Sequence, residues 1–454
     1  MNRKVTEWID RHRGDMIATL QSWVRQPSVK AAPAEGAPFG PDIRKMLDLA
    51  MKDLKDSGFA VRDFDGYACD ATLGGDEDPV AVLGHLDVVP VGDGWTREPF
   101  GAALEGTRMY GRGTNDDKGP VVAALYAMKA IRETGVPLKK GIRMILGCDE
   151  ECGWSCMKYY AAHTTMPETG FSPDASFPLI NTEKGMLRLS LRFPAAEDGL
   201  RILQMATGER PNVIAGESQA LLAGGEEMVA RIRAFAEKTG LSYHASATEK
   251  GVWVTATGIA GHAAIPEGRR SAIGMMLLLL RELGATGGIA LLADRVGLET
   301  DGASLGCARR DEVSGALTNN MGILRLENGE WYGTFDLRCP VTADLQEILR
   351  TVQASLPGIR VEADKITHAH HVPADSPLVT ELLAAYEEES GLKGKAMAIG
   401  GGTYAKTLHQ GVAFGPLFPD EEETAHLADE YQDMDRLVLA AKIYANALLR
   451  LTAE

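Results

Sequence analysis

No stretch of this chain is apolar for long enough to cross a bilayer. The longest run, IGMMLLLL at 273–280, falls well short of the roughly 20 residues that a spanning helix needs. The opening MNRKVTEWIDRHRGDM has no apolar signal core and reads instead as an amphipathic helix. No low-complexity tract or flexible linker appears, so any hinges must be short. A positive charge excess is also missing. The 47 basic and 63 acidic side chains give a net charge of −16, which argues against nucleic acid and anionic membranes as partners. The expectation is a cytoplasmic protein. Zinc-ribbon cysteine pairing is absent too. Cys148, Cys152 and Cys156 recur every four residues and invite a thiolate metal site. Together with Cys69, Cys307 and Cys339, however, they fit reduced structural thiols of a cytosolic chain better.

What is present points to a folded protein of more than one part. An apolar content of 45% marks a folded chain, and 454 residues exceed a single ordinary core, so two domains are expected. The run PVAVL at 79–83 reads as a buried strand, and GHLDVVP follows it. The period of two places His85 and Asp87 on one side of the strand's carboxyl end, where open α/β sheets build their sites. A histidine beside a carboxylate suits a metal, and a solvated turn is the alternative. In YGRGTNDDKGPVVAALYAMKAI (110–131), Asp116 and Asp117 sit in a glycine-rich loop feeding a helix, where they are ligands or merely capping acids. The apolar strand GIRMILG ends in Asp149, Glu150 and Glu151. Three adjacent acids repel one another unless cations neutralise them. SPDASFP adds Asp174, and DEEETAHLADEY adds His426. Two imidazoles and several carboxylates form a hard nitrogen-and-oxygen set suited to zinc, cobalt or manganese.

The ordered series GHLDVVP, GRGTNDDKG, DEECGW, PDASFP, GHAAIP, GGGT and TAHLADE resembles the zinc metallopeptidase family of dipeptidases, carnosinases, aminoacylases and desuccinylases. The likeness runs from about residue 5 to residue 450. It is strongest toward PepV-like dipeptidases, through GRGTNDDKGP, EKG at 183–185, HVPADSPLV and IGGGTY. The resemblance implies two divalent metal ions, zinc with cobalt or manganese as alternatives, bridged by Asp116. His85 and Asp174 complete one site, Glu151 and His426 the other. It further implies Glu150 as general base, Asp87 as the residue orienting the His85 imidazole through its second nitrogen, and a cis peptide between Asp116 and Asp117. His262 in GHAAIP would serve the oxyanion, with a strand-capping histidine as the alternative. Arg338 in TFDLRCP would grip the substrate carboxylate, against a plain surface arginine. Asn212 and the backbone of Gly401, Gly402 and Thr403 would also face the substrate.

The implied fold is an α/β catalytic domain, a mixed sheet flanked by helices, with an inserted α+β lid. The catalytic domain takes residues 1–185 and 372–454, because His426 must rejoin the earlier ligands. The lid takes 186–371, opening with the alternating strand MLRLSLRF and closing before the helix LVTELLAAYEEESG. Its two strand-rich halves raise the expectation of a doubled lid. Such a lid would bring His262 to its own chain's metals, making the protein a monomer; loops on an ordinary homodimer are the alternative. The expected activity is hydrolysis of free dipeptides. An N-acyl amino acid deacylase or desuccinylase using the same site is the alternative in mechanism, and a non-catalytic binding protein the alternative in class.

Overall fold

The computed structural model describes residues 2–453. They divide into two compact units. The first holds the chain up to Asn181, then Val372–Met397, then the chain from Gly402 on. The second holds Thr182–His371 and the short piece Ala398–Gly401. The first edge therefore lies at 181/182 rather than the anticipated 185/186, and the IGGGTY segment is divided between the units.

The first unit is built on a mixed sheet. Its strands run in the order Ala60–Phe64, Ala68–Leu73, Ile142–Gly147, Val80–His85, Thr169–Ser172, Gln410–Ala413 and Leu179–Glu183. The four in the middle are parallel, and they carry the site. Val80–His85 and Ile142–Gly147 are buried along their whole length, which suits uninterrupted apolar runs in a sheet covered on both faces. Their register sets His85 opposite Gly147, so His85 and the acids after Gly147 leave the sheet at one edge. Thr169–Ser172 lies parallel beside them, with Gly170 opposite Ala81. A Cβ at Gly170 would fall 2.2 Å from the Ala81 carbonyl oxygen, so only glycine permits this approach. Helices Lys118–Glu133 and Met434–Leu451 pack on each other, and Lys118–Glu133 also packs against Val80–His85. The opening segment forms two helices, Arg3–Arg11 and Arg13–Arg25, rather than one. At the break, the His12 ring stacks on Trp8 and its Nδ1 hydrogen-bonds the Trp8 carbonyl (2.8 Å).

The second unit is α+β. Its antiparallel sheet runs Tyr243–Thr248, Gly251–Thr257, Glu217–Leu222, Ile202–Thr207, Thr318–Glu327, Glu330–Cys339, Gly185–Pro194 and Arg360–Thr367. The sheet has two four-stranded parts, joined where Ala206 and Thr207 pair with Arg325 and Leu324. They do not follow chain order as expected: Gly185–Pro194, which opens the insertion, pairs with Glu330–Cys339 and Arg360–Thr367 near its end. A single apolar core underlies both halves, and helix Ala272–Glu282 packs against strands of each. The alternation read in MLRLSLRF appears as alternating burial along Gly185–Pro194. All six cysteines are free thiols, five buried and Cys152 exposed.

Candidate metal centre

Five side chains from five separate segments meet where the parallel strands of the first unit end. They form two groups that share Asp116: His85, Asp116 and Asp174, and Asp116, Glu151 and His426. Within each group the ligand atoms lie within 4.8 Å of one another. Asp116 divides its carboxylate between them. Its Oδ1 is 2.9 Å from His85 Nε2, and its Oδ2 is 2.8 Å from His426 Nε2. Asp174 Oδ2 is 3.6 Å from His85 Nε2, and Glu151 Oε1 is 2.8 Å from His426 Nε2. The two nitrogens thus face opposite oxygens of one carboxylate, as a bridge between two cations requires. The Asp116–Asp117 peptide is cis. His426 is half exposed and takes a φ of 66°, a left-handed conformation uncommon for a non-glycine residue.

The residues around the ligands act differently from what the sequence suggested in two places. His85 Nδ1 bonds the main-chain carbonyl of Asp87 (2.9 Å), while the Asp87 carboxylate lies 3.6 Å away. That carboxylate instead accepts the N–H groups of Glu150 (3.0 Å) and Glu151 (3.1 Å) and fixes the backbone of both acids. The strand ends at His85, so Asp87 already lies in the turn and its carbonyl folds back onto the ring. The second difference is Asp149, which repels its neighbours less than expected. It is buried, paired with Lys30 Nζ (2.5 Å), and accepts Ser155 N and Oγ at the start of helix Ser155–His163. Sequence reasoning assigned no role to Tyr404 or Glu430, and left Asp117 as a ligand or a capping acid. Asp117 Oδ2 accepts the His85 N–H (3.0 Å). The buried Tyr404 ring sits edge-on to His85, with its hydroxyl 2.8 Å from Cys156 Sγ. Glu430 Oε1 accepts the Asn115 N–H (2.9 Å). Each stood inside a motif, Asp117 in GRGTNDDKG, Tyr404 in IGGGTY and Glu430 in TAHLADE, but nothing in those motifs named its partner.

Electrostatics favour cations here. Burial, reinforced by Asp116, pushes the Asp174 carboxyl up to about 7. Burial and the surrounding acids push Glu150 well above the carboxylate range. In Asp116, burial is outweighed by hydrogen bonds from His426 and His85, which hold it low. On His426, burial disfavours the charge, but Asp116 and Glu151 lift the imidazole to about 11. Buried acids that converge in this way are neutralised either by protons or by divalent cations. Three carboxylates and two imidazoles form a donor set that fits two such ions.

The remaining expected residues lie in the second unit, apart from Gly402 and Thr403. Val213 pairs with His262, and Ala263 N donates to the Asn212 carbonyl (2.9 Å), which places Asn212 and His262 side by side. Ala264 packs on Gly400, where a Cβ would lie 2.6 Å from the Ala264 Cβ and 3.6 Å from the Arg338 Cγ. Arg338 is buried rather than a surface residue. Its Nε and Nη2 are taken by buried Asp336 (2.5 and 3.1 Å), and its Nη1 donates to the Gly400 carbonyl (2.6 Å). The Nε/Nη2 edge of the guanidinium, one of its two-point faces, is therefore already engaged by Asp336. Gly401 follows in the same unit, whereas Gly402 and Thr403 belong to the first. There Thr403 Oγ1 accepts Ala405 N (3.2 Å) and caps the turn Tyr404–Thr407.

Known proteins resemble this one in sequence and in fold. A Bacillus subtilis (strain 168) protein named "Putative dipeptidase YtjP" is 36% identical over 97% of this chain and 98% of its own. A Staphylococcus aureus (strain MW2) protein of the same description is 33% identical over 99% of both. Human carnosine dipeptidase 1 shares the fold, with a TM-score of 0.61 over 99% of this chain and 98% of its own at 15% identity. The family profile described as Peptidase family M20/M25/M40 matches residues 81–450, and with relatives of such identity over nearly the whole length, the chain belongs to that family of metal-dependent peptidases.

Proposed function

We propose that this hydrolase is a dipeptidase that cleaves free dipeptides with two divalent cations, zinc first, with cobalt or manganese as alternatives. The observation that carries the reading is the Asp116 carboxylate, whose two oxygens face the imidazoles of two separate ligand groups. His85 and Asp174 would hold one ion with Asp116, and Glu151 and His426 the other. Bound there, such ions polarise the scissile carbonyl and make water nucleophilic near neutral pH. Glu150 takes a proton from the attacking water on its carboxylate and returns it to the leaving amine. Asp87 holds Glu150 for that transfer by accepting its backbone N–H. His262 and Asn212 supply polar groups to the oxyanion. Arg338, kept charged and oriented by Asp336, attracts the substrate carboxylate through its outer nitrogens.

A monomer in the cytoplasm completes the reading. The all-free cysteines suit a reducing compartment. Among the described residues, no helix is long and apolar enough to cross a membrane. The test is a side-by-side assay of the zinc-, cobalt- and manganese-loaded protein on free dipeptides, tripeptides and N-acyl amino acids. Preferential turnover of dipeptides is expected. Preference for N-acyl amino acids would move the protein to the deacylases, and absence of amide hydrolysis with every metal would make it a binding protein.

A further inference from the structure

One buried carboxylate outside the ligand set holds two of the ligand-bearing segments at once. Glu430 is fully buried. Its Oε1 accepts the N–H groups of Gly113 (3.0 Å), Asn115 (2.9 Å) and Asp116 (3.3 Å). Its Oε2 accepts Nη1 of buried Arg112 (2.5 Å), and its main-chain carbonyl accepts the Gly111 N–H (2.9 Å). Arg112 in turn donates to the Val91 carbonyl (3.2 Å) and lies over the Trp95 ring. Charge-assisted bonds of this number, shielded from water, make a stiff joint. The joint spans two loops. One carries Asp116, and the other carries His426, four residues before Glu430.

The other ligands are held by other means. His85 ends a sheet strand, Glu151 has its backbone fixed by Asp87, and Ala175, next to Asp174, donates to the Gly415 carbonyl (2.7 Å). Both ligand groups use Asp116, but only one uses His426, so a looser joint harms one group more than the other. We infer that Glu430 is a positioning residue that keeps Asp116 and His426 in register, and so governs cation binding by Asp116–Glu151–His426 more than by His85–Asp116–Asp174. This inference rests on the two-cation reading of the centre.

Zinc affinity measured by equilibrium dialysis tests it, in two backgrounds that each keep one group intact. In Asp174→Ala, adding Glu430→Gln is expected to weaken zinc binding about 10–100-fold, the usual effect of losing a group that orients ligands. In His426→Ala, where Asp116 still depends on the joint but His426 no longer does, the same addition should weaken zinc binding by a clearly smaller factor. Equal losses in both backgrounds, or no loss in either, would overturn the assignment and leave Glu430 a general stabiliser. Zinc bound by neither background would overturn the two-cation reading itself and the inference with it. Glu430→Gln leaves the Arg112 charge buried without its partner, and near-UV circular dichroism reports whether that chain folds. Should it not fold, Arg112→Met/Glu430→Met removes both charges at similar volume and must show the same split between backgrounds.

Discussion

Asp116 and Glu150 lie near the same cluster, yet their removal should have opposite signatures. Glu150→Gln keeps the ligand set intact, so it should retain its cations while turnover falls about 10²–10⁴-fold, the range for a lost general base. Asp116→Ala deletes the oxygens facing both imidazoles and should lose cations and turnover together. Metal analysis alongside steady-state rates separates the two, and near-native turnover of metal-replete Glu150→Gln would remove Glu150 from the reaction. His85 and the acids after Gly147 were legible in the sequence because each follows a short apolar strand. Asp174, ahead of the apolar PLI, and His426, in an acidic loop, stayed ambiguous until the motifs were read together. Their partners were not legible. Lys30 neutralises Asp149 from 119 residues away, and Arg112 meets Glu430 across 318. Nothing in a local pattern encodes pairs at such separations. Nor does the spacing of His85 and Asp87 tell a carbonyl contact from a carboxylate one.

Within a strand, the period of two is legible, but what the side chains bind is not. TFDLRCP places Asp336 and Arg338 two apart on the strand Glu330–Cys339, hence on one face. The resemblance assigned that arginine to the substrate and missed that Asp336 takes its fork. The pairing changes what Arg338→Ala should do. Breaking a buried ion pair from one side costs about 3–5 kcal/mol, so urea denaturation should show a large loss of stability, with weaker turnover of free dipeptides than of amidated ones on top. Asp336→Leu/Arg338→Met should recover most of the stability and none of the selectivity. Equal turnover losses on both substrate types would remove Arg338 from carboxylate binding.

The short hairpin Arg310–Asp311 with Gly315–Ala316 offers a pH-dependent case. Burial raises the Asp311 carboxyl, but bonds from Ser314 and Thr342 outweigh it and leave it at about 2. A depressed carboxyl stabilises the fold above its unfolded value near 3.9 and loses that contribution as pH falls through about 2. The stability gap between the wild-type chain and Asp311→Asn should therefore narrow steadily from pH 5 downward in thermal melts. A gap independent of pH would contradict the pairing.

For the molecule as a whole, the two-cation reading makes stability an expected function of cations. Each ion present at a hundredfold excess over its Kd adds about 2.7 kcal/mol to the folded state. Chelation should accordingly lower the Tm in a calorimetric scan, and much less so in Asp116→Ala; a melt insensitive to chelator would count against a built cation centre. Quaternary state is open to mixing. A chain whose own insertion supplies both halves of an eight-stranded sheet is expected to run as a monomer, and inactive His262→Ala and Glu150→Ala chains should regain nothing together. Recovered activity would mean that His262 serves a second copy. The divided first unit carries one more consequence, and it concerns synthesis. Asp174 is made long before the strand Gln410–Ala413 that completes the middle of its sheet. At about 5–20 residues per second, His426 and Glu430 leave the ribosome tens of seconds after Asp174. Until then the nascent polypeptide carries four of the five ligands and no means of closing the bridge. The order of synthesis thus leaves the Asp116–Glu151–His426 group for last, after every other ligand has been made.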